Sequence, residues 1–343
     1  MRNIVYWSHF TPESRSAAGQ RMYAFIAQLV ADGWRVRLPG GGFQSVQPTW
    51  RRLLVEAWLT LHRPALIAVV SLPPYRSALT QALLLAMLRG RRLVIDQRDL
   101  ALVSAPTIEH RMERWLLRRA DALIVTTHAQ RRAMMRRHCV LPRTWLIRNG
   151  ASDDIAQLPR VPRKIPSEKE RLRVLYQGLV GGKKLKEITQ CLAGLGCDVD
   201  LAVFVDKWSR EEIKDIYDSW NGTGTLNIHA NLDASALAHL MDQVDVAINP
   251  VPDHMDYAFT VKTADYAVRL LPQLAIGSRR SITRRTVELC HLGTAINTNK
   301  ELDEKVLRLA IARFRPRTEE ELDIFRREVH APRIIDLLQE VQQ

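Results

Sequence analysis

Lys262, Asp265 and Tyr266 lie one helical turn apart within residues 258–277 (AFTVKTADYAVRLLPQLAIG), close behind VDVAINPV at 244–251. The earlier segment is an apolar run of strand character that ends in Asn-Pro. A loop then opens a helix carrying the three side chains, and Pro272 closes that helix into another short apolar strand. The pattern suits a phosphate-bearing ligand. Backbone N–H groups at a helix start point outward, a cation in the first turn adds charge, and a carboxylate one turn on can grip sugar hydroxyls. The same residues also read as an ordinary strand-loop-helix with a solvated Lys and a capping Asp.

Elements that would position such a site alternate along the whole chain. In the first half, strands are predicted at 3–8, 35–38, 65–71, 92–96, 122–126 and 144–147. Helices are predicted at 20–32, 50–62, 76–89, 108–119 and 129–138. In the second half, strands are predicted at 172–177, 199–205, 225–229, 244–249 and 273–276, with helices between them and a helix over 318–339. Strand-helix alternation implies parallel sheets covered on both faces, with ligands at the strands' carboxyl ends. QLPRVPRKIPSEKER at 157–171 has three prolines and mixed charge, and reads as an interdomain linker. The expected division is 1–158, 159–325, and a closing helical segment 326–343 that packs back on the first domain.

The 343 residues are 46% apolar and 25% charged, as in a soluble globular protein long enough for two domains. No apolar run approaches the roughly 18 residues that span a bilayer. MRNIVYWSHF at the N-terminus has no signal-peptide core, so a cytoplasmic location is expected. Cys139, Cys191, Cys197 and Cys290 lack metal-ligand spacing and read as buried free thiols of a reducing compartment. Residues 1–158 hold 23 Arg, no Lys and 10 acidic residues, which accounts for the whole net charge of +13.

The ordered segments resemble the GT-B-fold retaining glycosyltransferases, a family-4-like "glycosyl transferases group 1" pattern. SAAGQR (Gly19, Arg21) is followed by the turn DGWRV and the strand LVIDQRD. Then come ADALIVTTHAQRRAM and WLIRNGAS, VLYQGLVGGKKL, LNIHANLDASALAHLMDQVDVAINP, and VKTADYAVRLLP. The resemblance implies an α/β chain of two Rossmann-like domains facing across a cleft (the GT-B fold). It implies a donor site in the second domain. There Gly178 would let backbone approach the nucleotide, and Lys183 or Lys184 would neutralise diphosphate oxygens. Thr260 and Lys262 would serve the phosphates or sugar, Asp265 would take the place of a ribose-binding Glu, and Tyr266 follows it. In the first domain it implies Gly19, Arg21, Arg98 and Asp99 lining the cleft, the last two as catalytic candidates, with Asn149 nearby. His9 follows the first predicted strand, so it is expected either in that cleft or as a hydrogen-bonded structural histidine. Four places depart from the pattern: Leu179 where many members have Arg, Asp265 for Glu, Leu270 for Gly, and Arg98-Asp99 where many members have a His before the acceptor loop.

The implied chemistry is transfer from a nucleotide-diphosphate sugar with retention. Protein cations and helix termini stabilise the diphosphate leaving group, so no cofactor and no metal is expected. The acceptor would be lipid-linked or a polysaccharide, in surface-glycan biosynthesis. A non-catalytic GT-B accessory subunit of another glycosyltransferase is the alternative. Arginines mixed with Trp, Leu and Met at 50–58, 89–92, 114–119 and 131–137 suit the anionic inner face of the cell membrane. No recognition-helix, RNA-binding or zinc motif accompanies the charge, so nucleic acid is not an expected partner. Asp198 and Asp200 have the spacing of a metal pair but sit at a predicted strand start. Gly178 to Lys183 is too short for a P-loop, and Gly40-Gly41-Gly42 reads as a flexible loop.

Overall fold

Six short apolar runs in each half of the chain pair side by side as parallel strands. The structure, a computed structural model, describes residues 2–7, 17–38, 67–72, 92–100, 107–179, 183–204 and 210–343. The predicted helices at 50–62 and 76–89, Gly40 to Gly42 and His9 lie outside them. The described chain divides into unit 1 (1–149 and 327–343) and unit 2 (150–326).

Unit 1 contains β1 (Asn3–Trp7), α1 (Ala17–Ala31), β2 (Arg35–Arg37), β3 (Ile67–Leu72), β4 (Arg92–Gln97), α2 (Thr107–Arg119), β5 (Ala122–Val125), α3 (His128–His138) and β6 (Arg143–Leu146). Its sheet runs β2-β1-β3-β4-β5-β6, with every pairing parallel. Strand β3 is buried at every position, as expected when helices cover both faces. Thr127 caps α3 by accepting from the Gln130 N–H.

Unit 2 contains α4 (Asp153–Ala156), β7 (Arg173–Leu179), α5 (Lys183–Gly194), β8 (Asp198–Phe204), α6 (Arg210–Asp218), β9 (Leu226–Ala230), α7 (Ala234–Gln243), β10 (Val246–Pro250), α8 (Val261–Val268), β11 (Gln273–Ile276), α9 (Ile282–Leu289), β12 (Gly293–Ile296), α10 (Glu304–Arg313) and α11 (Glu319–Leu322). The sheet order is β12-β11-β10-β7-β8-β9, again all parallel. Alternate residues of the strands serve two cores. Val174, Val199, Leu201 and Ile248 join one cluster, while Leu175, Ala202 and Ala247 join the other with Met241 and Tyr266. Strand β12 has no counterpart in the sequence reading. Gly293 permits it: its φ is +147°, and a Cβ there would stand 2.0 Å from the Gln273 carbonyl oxygen on β11.

The proline-rich stretch at 157–171 does not separate the units. Arg269, buried against Asp242, donates to the carbonyls of Leu158 at 2.7 Å and Pro159 at 2.9 Å. Arg163 donates to the carbonyls of Met241, Val244 and Leu270. Ala151, Ile155 and Ala156 sit in a unit 2 core cluster. The division therefore falls at 149/150, and 157–171 is strapped onto unit 2.

The predicted helix over 318–339 is likewise broken. Residues Asp323–Phe325 form a 3₁₀ turn, and Arg326 is extended. Helices α12 (Arg327–His330) and α13 (Arg333–Gln342) follow, the second with Pro332 at its N-cap position. Phe325 and Leu322 fill a unit 2 cluster, whereas Ile334, Leu337 and Leu338 fill the unit 1 core beside Phe25 and Leu29. One helix cannot serve both. Among the described residues no helix is long and apolar enough to cross a membrane.

Candidate functional site

In unit 2 the first strand, β7, lies inside the sheet between β8 and β10. The chain winds from β7 outward through β8 and β9, then returns to the other side of β7 as β10. Winding reverses at the carboxyl ends of β7 and β10, the topological switch point at which open α/β sheets usually hold their ligands in a crevice. Strand β7 ends in Tyr176-Gln177-Gly178-Leu179, and β10 ends in Asn249-Pro250. Helix α8 begins close behind β10, so all the groups described next belong to two strand ends and one helix start.

Lys262, in the first turn of α8, holds its ammonium 5.0 Å from the centroid of the Tyr176 ring. A Cβ on Gly178 would stand 3.0 Å from the Lys262 Nζ and 3.2 Å from the Tyr176 hydroxyl, and Gly178 has φ +150°. Glycine therefore answers two demands here, backbone conformation and room for the ammonium. Among the described residues no carboxylate pairs with Lys262. Burial alone pushes its pKa down to about 8. A desolvated ammonium resting on an aromatic face, with no counter-anion among the described residues, is a ready partner for an anionic ligand.

The start of α8 is fixed by hydroxyls. Thr260 caps the helix by accepting from the Thr263 N–H. Asn249 Nδ2 donates to Thr263 Oγ1 at 2.8 Å, and the Thr260 and Thr263 hydroxyls lie 2.8 Å apart. The Thr260 N–H donates to Thr283 Oγ1 at 3.1 Å. The sheet end thus holds the helix end in register.

Asp265 is buried, only 2% exposed, and accepts from Gln177 Nε2 at 3.0 Å. Tyr266, read from the sequence as donor-binding, is instead a core residue. It is fully buried among Leu175, Met241 and Leu271, and no ligand can reach it without opening that cluster. Lys183 and Lys184 open α5, but their side chains and that of Leu179 lie outside the described part of the structure. Leu270 adopts φ +52°, so the backbone keeps a glycine-like left-handed turn although the residue is Leu. Sequence reasoning missed Tyr176 and Gln177. The signal was present: a polar Tyr-Gln pair directly before a Gly at a strand's carboxyl end.

The first-half candidates fall in unit 1. Arg21 is 3% exposed and is consumed by structure. Its guanidinium bridges to Asp96, with Nη2 at 3.0 Å, and its Nη1 donates to the Ile147 and Arg148 carbonyls and to Asn149 Oδ1 at 3.0 Å. Tyr6 donates to the same Asp96 at 3.1 Å. Arg21 and Asn149 therefore join β1, α1, β4 and the end of β6, and this arginine is not a cation waiting for a ligand. Gly19 is buried two residues earlier on α1. Arg98 and Asp99 follow β4, half-buried, and burial lowers the Arg98 pKa. Gln130 Nε2 holds this corner through the Gln97 carbonyl at 2.9 Å.

Asp198 and Asp200 are structural. Asp198 Oδ1 accepts from the Thr225 N–H at 2.8 Å. Buried Asp200 takes the Arg173 guanidinium at 2.6 Å and His229 Nε2 at 2.7 Å. Burial raises its pKa, but these two partners outweigh that and hold it low. Of the four thiols, only Cys197 is buried, and Cys139 is exposed, contrary to the expectation of buried cysteines. Cys139 follows α3 with φ +63° and has turned out of the helix into solvent.

No protein-family model matches the chain, and no curated protein matches it. Solved structures do match its fold. It is similar to sucrose-phosphate synthase from Thermosynechococcus elongatus, with a TM-score of 0.75 and 17% identity over 99% of each chain. A glycosyltransferase from Rickettsia africae gives a TM-score of 0.69 and 12% identity, over 100% of this chain and 99% of the other. UDP-GlcNAc 2-epimerase from Methanocaldococcus jannaschii gives 0.60 and 12%, over 98% and 99%. Likeness at such identities establishes the architecture: two α/β units built on parallel six-stranded sheets, as in GT-B glycosyltransferases.

Proposed function

We propose that this protein is a glycosyltransferase that takes its sugar from a nucleotide-diphosphate donor held at the β7–β10 crevice of unit 2. The observation that carries the reading is the ammonium of Lys262, compensated by no carboxylate among the described residues, beside Gly178 at the point where the sheet reverses its winding. A diphosphate there would neutralise that charge and meet the start of α8. As the bond to the sugar breaks, negative charge grows on the leaving diphosphate, and Lys262 is placed to stabilise it. The solved structures of similar fold include glycosyltransferases and proteins whose names carry UDP-sugars, which supports a nucleotide-sugar donor. In the same reading the reaction retains configuration and requires no metal. The acceptor is lipid-linked or a polysaccharide, and the protein works in surface-glycan biosynthesis on the inner face of the cell membrane. Exposed arginines on α2 and α3 (Arg111, Arg114, Arg118, Arg131, Arg132 and Arg136) supply a surface suited to anionic lipid.

A second reading, a non-catalytic accessory subunit, draws on Asp265. Its carboxylate is one methylene shorter than the Glu of the resembled pattern and is covered beneath Gln177. A thermal-shift screen of UDP-, GDP-, ADP- and dTDP-sugars separates the two. The transferase reading expects one nucleotide class to raise the melting temperature of the wild type and not of Lys262→Ala. The stabilising donor is then incubated with acceptor-containing membranes. Sugar transferred to acceptor supports the reading, whereas an epimerised nucleotide sugar would assign the crevice to isomerisation. No shift with any nucleotide, together with cellular function preserved in Lys262→Ala, would favour the accessory role.

A further inference from the structure

A second positively charged site lies in unit 1, where α2 and α3 both end. A surface cavity of about 340 Å³ is lined there by Arg114, Leu117 and Arg118 of α2 and by Arg137, His138, Cys139 and Val140 at the end of α3. Cations at helix C-termini are commonly explained by the helix dipole, which favours them there. That account is incomplete here, because the charges do not balance. The carboxylate beneath the cavity is Glu113, fully buried, and it is already engaged. Arg137 donates to it at 3.1 Å, and His138 Nε2 lies 3.0 Å from the same oxygen. Arg114 and Arg118 pair with no carboxylate among the described residues, and both are exposed.

Two more observations mark this as a built site. The His138 side chain is 2% exposed, yet its Nδ1 has no hydrogen-bond partner. With Nε2 lying against Glu113, Nδ1 is left as an unpartnered buried polar atom beside the cavity. The backbone also departs from the helix at some expense: Cys139 takes φ +63°, and the Val140 N–H turns back to the His138 carbonyl at 2.7 Å. That turn sets Cys139 and Val140, the latter 78% exposed, in the lining of the cavity together with the arginines.

We propose that this cavity binds a phosphate group. Guanidinium forks match phosphate oxygens in pairs, and Arg114 and Arg118, one turn apart on α2, can both face one anion. Leu117 and Val140 add an apolar border, so the phosphate can be free or carried on a lipid headgroup. The site is separate from the Lys262 crevice and does not depend on how that crevice is read.

Cys139 provides a local probe, because it is exposed and lines the cavity. The intact protein is treated with iodoacetamide, and alkylation of each cysteine is followed by peptide mass spectrometry. Inorganic phosphate is expected to slow Cys139 about threefold when two-thirds of the cavities are filled, while Cys191 and Cys290 keep their rates. Chloride at equal ionic strength should not do so. The double variant Arg114→Gln, Arg118→Gln should lose the protection, and Arg35→Gln, Arg315→Gln, which removes two exposed arginines elsewhere, should keep it. Phosphatidylglycerol vesicles form the second arm. Protection at much lower total phosphate than the free ion assigns a lipid source, and protection by free phosphate alone assigns a soluble one. No protection in either arm, equal protection by chloride, or protection that survives in the Arg114/Arg118 variant would overturn the proposal.

Discussion

Replacing Lys262 with Met should make the ligand-free protein more stable while removing its grip on a nucleotide. Burial takes the Lys262 pKa from 10.5 to about 8. That difference corresponds to roughly 3 kcal/mol of penalty on the protonated form in the folded state. The residue keeps part of its surface in water, which reduces the expected figure to about 2 kcal/mol. Met has similar length, and its sulfur can rest on the Tyr176 ring as the ammonium does. An S–aromatic contact of about 0.3–1.5 kcal/mol then nearly offsets the lost cation–π contact of about 0.5–2 kcal/mol. For a unit of this size, 2 kcal/mol moves the melting temperature up by about 4–8 °C. The pH dependence identifies the cause. The folded pKa lies below the unfolded one, so between pH 8 and 10.5 the unfolded chain binds more protons and the wild type gains stability as pH rises. The advantage of Met is therefore full below about pH 8 and gone by about pH 10.5. Differential scanning calorimetry of both proteins from pH 7 to 10.5 provides the measurement. A Met variant that is no more stable at pH 7, or whose difference from wild type ignores pH, would refute the reasoning.

Two further substitutions test other parts of unit 2. Gly178→Ala places a methyl 3.0 Å from the Lys262 Nζ at φ +150°, and should lower nucleotide affinity at least tenfold, about 1.4 kcal/mol, in isothermal titration. Arg269→Ala leaves buried Asp242 without its partner and frees the carbonyls of Leu158 and Pro159. It should reduce stability by about 3–5 kcal/mol in urea unfolding, with Asp242→Asn, Arg269→Ala partly restoring it.

The alternation of strands and helices was legible because buried parallel strands read as short β-branched runs, and β3, β5 and β10 do so plainly. The short helix behind a strand that carries Lys262 and Asp265 was legible as well. What lay beyond the sequence was always a tertiary fact. Strand β12, GTAI, is four residues long and becomes a strand only because Gly293 lets it lie against β11. Arg21 looked like a cleft cation until Asp96, 75 residues away, was seen to claim it. Tyr266 looked like a ligand contact next to Asp265, but successive residues of a helix point about 100° apart, and this one points into the core. The prolines at 157–171 suggested a free connector, and only the positions of Arg163 and Arg269 show why it is not.

The chain's path through the two units bears on how the protein comes to be folded during synthesis. Unit 2 is closed by its own ends: the Ala151 N–H donates to the Phe325 carbonyl at 2.8 Å, and Ala151 bridges Arg326. Unit 1 instead draws Ile334, Leu337 and Leu338 into a core that begins with Ile4 and Tyr6. A ribosome therefore releases the whole of the later-made unit before the earlier-made one can finish its interior. The arginine-rich half must wait, with part of its apolar interior uncovered, for the helix at Arg333–Gln342 to emerge.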